Sequence, residues 1–225
     1  PPAEPSPPAG PDAALRHLRV RVNQDILRSS CAHEVLALCS RWCGQFDAIN
    51  LSTALHRLAK LRAGPAVHRG GASTLLAMAS GFVPELGAQS LANIAWSVAT
   101  MSFPDVPLMD ALSSQAIRRL TAQFTGQALA NLAWSFAILT LRDRPLMESI
   151  AAQSRPTLSE SHTYFAPQAL SNSAWAFAVL PLHNAPLLHA IASASIPTLG
   201  GALPGSSEFA FQELANLVWS FATLE

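Results

Sequence analysis

The sequence predicts an all-α fold, an α-solenoid of about five helix-pair repeats. A block centred on tryptophan recurs four times: LANIAWSVATM at 91–101, LANLAWSFAIL at 129–139, LSNSAWAFAVL at 170–180 and LANLVWSFATL at 214–224. The steps between Trp96, Trp134, Trp175 and Trp219 are 38, 41 and 44 residues, and self-similarity at a period of roughly 40 marks stacked repeats. Apolar residues in each block recur at helical spacing, and no β pattern of comparable length appears.

Taken in order, residues 1–14 (PPAEPSPPAGPDAA) are rich in proline and small residues and residues 15–22 (LRHLRVRV) are basic and mixed, so 1–22 is predicted to be a disordered or polyproline-like lead. A helical pattern runs from about Asn23 to Cys43, with Ile26, Leu27, Val35, Leu36 and Leu38 as apolar contacts. A second helix follows at about 48–61 and is a divergent first copy: Phe46 aligns with Phe124, Leu51 with Leu129, His56 with Trp134 and Leu58 with Phe136. The repeat region is therefore 23–225, with signature helices in 46–61, 86–101, 124–139, 165–180 and 209–224. The chain opens on Pro rather than Met and stops just after a signature, so truncation at both ends is expected.

Each signature helix has a readable start. Phe124, Phe165 and Phe209 stand five residues before Leu129, Leu170 and Leu214, and Leu86 precedes Leu91 in the same way. Pro167 suits the first helical position. That makes Ala166 the N-cap and pairs Phe165 with Leu170 as a hydrophobic staple. The preceding helix of each pair opens on proline, in PLMDALS (107–113), PLMESIA (145–151) and PLLHAIA (186–192). The connection between the two helices varies in length, GGALPGSSE at 200–208 being the longest.

Within the third signature, Leu129, Leu132, Ala133 and Phe136 form a core stripe at i, i+3, i+4 and i+7. Trp134, with Ala130 and Ala137 beside it, is expected to fill the gap between tiers. Trp96, Trp134, Trp175 and Trp219 are thus read mainly as structural, with base stacking as the lesser alternative, and truncating one to Ala is expected to cost roughly 3–5 kcal/mol. A third stripe is polar: Gln89, Asn93 and Ser97; Gln127, Asn131 and Ser135; Gln168 and Asn172 with Ala176; Gln212, Asn216 and Ser220. Two readings fit these amides. They form a track that hydrogen-bonds nucleotides, or they satisfy backbone groups and one another between repeats. Positions that differ between copies are better suited to telling one base from another. These are Asp110, Glu148 and His189 in the first helix of a pair, and Ser90, Ala128, Ala169 and Glu213 just inside the second. Arg118, Arg119, Arg142, Arg144 and Arg155, with Arg57, Lys60 and Arg62 in the first copy, are the cations that could reach phosphate.

Composition narrows the function. Lys+Arg and Asp+Glu balance at 14 each; residues 1–83 carry nine basic against five acidic residues, and residues 84–225 carry five against nine. A protein held to nucleic acid by phosphate neutralisation alone would be more basic. Cys31, Cys39 and Cys43 are an odd count that argues against a disulfide framework, and with His33 they are too few for a zinc module. No Walker loop, GxSxG, HExxH or acid–base dyad is present, so neither an enzyme, a cofactor nor a small-molecule substrate is expected. No apolar run is free enough of polar residues to span a membrane.

FTGQALANLAWSFAIL (124–139) and FAFQELANLVWSFATL (209–224) resemble the octotricopeptide repeat, a helix pair whose second helix reads Q-x-L-A-N-x-x-W-[AS]-x-A-x-L. The same motif resembles organellar proteins ending in a RAP domain, including relatives of the Fas-activated kinase-like mitochondrial family. NLSTALHRLAKL (50–61) is similar to the opening helices of RAP-associated proteins. The resemblance covers about 23–225. It implies an α-solenoid that binds single-stranded RNA in mitochondria or chloroplasts and supports transcript stability, processing or translation. The matched Gln, Leu, Ala, Asn and Trp would then be mainly framework, with His56 and Ala176 as departures. Low charge and abundant apolar surface leave a protein-interaction scaffold, with other organellar proteins as partners, as the alternative.

Overall fold

The computed structural model describes residues 10–61, 68–120, 124–159, 165–199 and 209–224. Among these the chain is helical and contains no strand. It divides into two compact units, residues 1–86 and 87–225.

The first unit holds α1 (Pro11–Arg28), α2 (Ala32–Trp42), α3 (Ala48–Lys60) and α4 (Ser73–Phe82). The helix α1 corrects the expectation of an unstructured lead over 1–22, of which residues 1–9 lie outside the described residues. Pro11 sits in its first turn with Asp12 beside it, and Arg28 closes the last turn, each suited to its end of the helix dipole. Leu15, Leu18, Val22 and Ile26 turn inward while Arg16, Arg21 and Arg28 face water. The basic run hides an ordinary amphipathic stripe. The helix expected over 23–43 is instead broken at Ser29–Cys31. There the Glu34 carboxylate accepts from the Ser30 backbone N–H at 2.7 Å, closing the start of α2.

The first-copy signature, α3, is anchored on α1. Asp47 caps it, accepting from Ile49 and Asn50 backbone N–H groups at 3.0 and 2.9 Å. Buried Asn50 donates to the Arg19 carbonyl at 2.9 Å. Arg57 donates through Nε to the Ser29 carbonyl at 3.0 Å, at the end of α1. Leu51, Leu55 and Leu58 are fully buried between these helices.

Residues 87–225 stack as an α-solenoid. Its helices are α5 (Ala88–Thr100), α6 (Val106–Arg119), α7 (Gly126–Ile138), α8 (Arg144–Ser159), α9 (Pro167–Val179), α10 (Ala185–Leu199) and α11 (Phe211–Leu224). The signature helices pack in series, α5 on α7, α7 on α9 and α9 on α11; α6, α8 and α10 form a second row. Small residues let the signature row close up. Ala92, Ala95, Ala130, Ala133 and Ala174 are all fully buried, as is Ser171. Phe136 and Phe177 are the most deeply sealed aromatic residues of this core, and Phe124 and Phe165 are buried as well.

The helix ends explain the register. As the spacing predicts, α9 begins at Pro167 with Ala166 as N-cap, and Phe165 is buried. The second-row helices start one residue before their prolines. Asp105, Asp143 and Asn184 cap them, accepting from Leu108, Leu146 and Leu187 backbone N–H groups at 3.1, 3.0 and 3.1 Å. Buried Ser113 of α6 donates to the Asp143 carboxylate, tying one tier to the cap of the next. Three signature helices, α5, α7 and α9, end in a wrapped turn: Phe103, Leu141 and Leu182 donate to the carbonyls of Val98, Phe136 and Phe177 at 3.1, 2.9 and 2.9 Å. Ser102 and Thr140 take the left-handed position in two of these turns, with φ of 52° and 54°. The 200–208 connection lies outside the described residues.

Candidate nucleic-acid interface

The solvent face of the signature row differs from the expected polar stripe in one respect. Ser97, Ser135 and Ser220 are fully buried, not part of an outward ladder. Each hydroxyl donates back to a carbonyl of its own helix, those of Asn93, Asn131 and Asn216, at 2.6, 2.5 and 2.6 Å. A serine bonded in this way needs nothing from its neighbours. That explains why Ala176 can replace it in the fourth copy, also fully buried.

Tryptophan takes the place that serine leaves. Trp96, Trp134 and Trp175 are partly exposed and Trp219 is 47% exposed. The first three are not fully sealed, so a cost of roughly 3–5 kcal/mol on truncation applies most directly to the fully buried Phe136 and Phe177. The geometry is simple. Gln, Asn and Trp stand at i, i+4 and i+7, a single helical face, whereas serine at i+8 lies about 80° around from Gln.

The amides pair within each helix. Gln89, Gln127 and Gln212 donate through Nε2 to Oδ1 of Asn93, Asn131 and Asn216, each at 2.9 Å. The bond holds each Gln against its Asn and uses neither the Gln Oε1 acceptor nor the Asn Nδ2 donors. Gln168 and Asn172 hold the same places in α9 without that bond. The amides thus satisfy one another within a tier rather than between tiers. The result is a stripe of one amide pair and one indole per signature helix, repeated side by side from α5 to α11.

The positions expected to vary for readout are not gathered there. Asp110, Glu148 and His189 are exposed, but on the second row. Glu148 is paired with Arg144 at 2.8 Å. Ser90 and Glu213 are partly exposed, but the equivalent Ala128 and Ala169 are buried. Glu213 accepts from the Ala210 backbone N–H at 2.8 Å as a helix-start partner. Two of these four helix-start positions, Ala128 and Ala169, are thus closed to a ligand. Arg118 is exposed at the end of α6, held by the buried Gln115 amide oxygen at 2.8 and 3.1 Å, with Arg119 beside it. Arg57 is committed to Ser29, and Arg62 lies outside the described residues.

Elsewhere, an open hollow of about 450 Å³ between α1 and α2 is lined by Asp25, Arg28, Glu34 and Arg41, with both signs of charge mixed. His56, at the tryptophan position of the first copy, is partly exposed. Burial, and then the Lys60 charge, lower its imidazole to about 4. Burial, and then neighbouring Cys43, push the Cys39 thiol up to about 12. Among the described residues no group of three or more His, Cys, Asp or Glu could hold a metal ion. None of their helices is long and apolar enough to cross a membrane.

No family model matches the sequence. No curated protein matches it either.

Proposed function

We propose that this protein binds single-stranded organellar RNA along the signature row of its helix-pair repeats. In mitochondria or chloroplasts it would support transcript stability, processing or translation. One observation carries the reading: every signature helix from α5 to α11 turns the same amide pair outward, in tandem, as a polymer ligand requires. The resemblance of these segments to octotricopeptide and RAP-associated repeats points the same way. The test is an electrophoretic shift of the full chain with organellar RNA at low salt. A retarded complex, competed by single-stranded but not double-stranded RNA, is expected; no shift with any organellar RNA pool rejects the reading.

A protein-binding scaffold is favoured by a different observation. The outward Gln, Asn and Trp carry no charge, and residues 84–225 hold five basic against nine acidic residues. Crosslinking the protein in cells and identifying what is attached separates the two, since a scaffold yields a protein partner and no RNA.

A further inference from the structure

Accepting that RNA is the ligand, we infer that the four indoles are its stacking platform: each of α5, α7, α9 and α11 takes one base on its tryptophan face and hydrogen-bonds that base's edge with its Gln–Asn pair, without selecting its identity and with little help from phosphate contacts.

The inference rests on which groups share the stripe. Trp96, Trp134, Trp175 and Trp219 are partly or half exposed, one helical turn beyond Asn93, Asn131, Asn172 and Asn216. A part-exposed indole beside an amide suits a base better than a peptide. A single strand offers a flat π-face and a polar edge at every unit. A peptide offers polar main chain at every unit but a flat side chain only occasionally, and a duplex hides both base faces. One base per helical repeat is a spacing that helical-repeat proteins already use on RNA.

The hydrogen bonding also suggests indifference to sequence. In α5, α7 and α11, with Gln Nε2 bound to Asn Oδ1, the pair presents an acceptor next to a donor, and α9 carries the same two amides without that bond. Adenine, cytosine, guanine and uracil each carry a neighbouring donor and acceptor on the Watson–Crick edge, so all four can meet it. Identical residues at each tier cannot ask for different bases. Among the described residues no cation occupies the Gln, Asn or Trp positions of α5 to α11; exposed Arg142 lies in the turn after α7 and exposed Arg155 on α8. The exposed Arg118 stands at the end of a second-row helix and Arg144 is paired with Glu148.

The test titrates the full chain with 12-nucleotide oligo(A), oligo(U), a mixed sequence and an abasic ribose-phosphate strand of equal length, reading tryptophan fluorescence and anisotropy from low to moderate salt. Expected are fluorescence quenching by all three base-bearing strands, affinities within about tenfold of one another, no binding of the abasic strand, and a log–log salt slope shallower than that of about two phosphates. Trp134→Leu and Trp175→Leu each weaken binding by roughly 5- to 150-fold, the range of base–aromatic stacking, and Trp134→Phe restores part of it. Because a leucine variant could perturb packing, Gln89, Gln127, Gln168 and Gln212 are also changed together to Ala. These are surface positions, and this variant is expected to bind at least tenfold more weakly with an unchanged circular-dichroism melt. RNA binding that survives the Leu and Ala variants, extends to the abasic strand or falls steeply with salt overturns the platform but leaves RNA as the ligand. Strong preference for the mixed sequence overturns the indifference to base identity. Failure to bind any strand overturns both the platform and the RNA reading.

Discussion

Gly126 opens α7 beneath the ring of Phe165, the residue that leads the chain into the next signature helix. A Cβ at Gly126 would lie 2.6 Å from Phe165 Cδ2 and Cε2 and 2.8 Å from Cγ. These are not the far tip of a loose side chain, and Phe165 is buried. Gly126→Ala must therefore displace the ring and with it the start of α9. Overpacking of this kind costs about 1–3 kcal/mol. Removing a glycine from the unfolded ensemble returns up to about 1 kcal/mol, so a net loss of about 1–2 kcal/mol is expected. Gly81→Ala is the control, because a Cβ there meets nothing within 4 Å; it is expected to be neutral or stabilising by up to about 1 kcal/mol. Urea unfolding followed by circular dichroism measures both. With m near 2 kcal/mol/M the Gly126 variant should lose about 0.5–1 M in midpoint. Phe165→Leu in the same chain should return part of the loss, because the two sites touch. A Gly126→Ala protein as stable as the parent would show that the ring is not pinned against this glycine.

Three further outcomes are expected. Thr140 holds φ of 54°, so Thr140→Gly should stabilise the chain by about 0.5–1 kcal/mol in the same urea assay, and a loss would mean the wrapped turn is not formed. His56 titrates near 4 when folded against about 6.5 unfolded. Its contribution is complete above pH 6.5 and is lost as pH falls from 6.5 to 4; discounted for partial exposure, this is about 1–2 kcal/mol, and His56→Gln should flatten that part of the stability–pH profile. Cys31 is exposed whereas the thiol of buried Cys39 is pushed up to about 12. At pH 8 a disulfide reagent should label Cys31 in the folded protein and reach Cys39 only after denaturation, and rapid labelling of Cys39 would contradict its burial.

The repeats made the all-α class, the pairing of helices and the start of α9 legible, because these depend on local period and on proline and staple positions. Two things were harder to see. The arginines of α1 masked the stripe of Leu15, Leu18, Val22 and Ile26, which composition averages away. The second was the face of each polar residue. Gln, Asn and Ser look equivalent as a run of small polar side chains, yet only the first two face water, because four-residue steps drift around a helix of 3.6 residues per turn. Ala176 was the visible sign that serine lies inward, and the i, i+4, i+7 spacing put tryptophan with the amides. The caps Asp105, Asp143 and Asn184 were also present in the sequence, two residues ahead of each proline. What the varying charges Asp110, Glu148 and His189 face depends on tertiary placement, which periodicity does not encode.

From the end of a signature helix to the cap of the next helix the count never changes: Met101 to Asp105, Leu139 to Asp143, Leu180 to Asn184. The length variation falls after that cap, in second-row helices of 14, 16 and 15 residues and in the connections that follow them. The interchangeable module is therefore a signature plus the helix that comes after it, offset by half a repeat from the motif that meets the eye. Swaps or added copies should be spliced at 120–124 or 160–165, where the molecule already tolerates different lengths. A cut between Leu139 and Asp143 would sever a corner closed by its own hydrogen bonds.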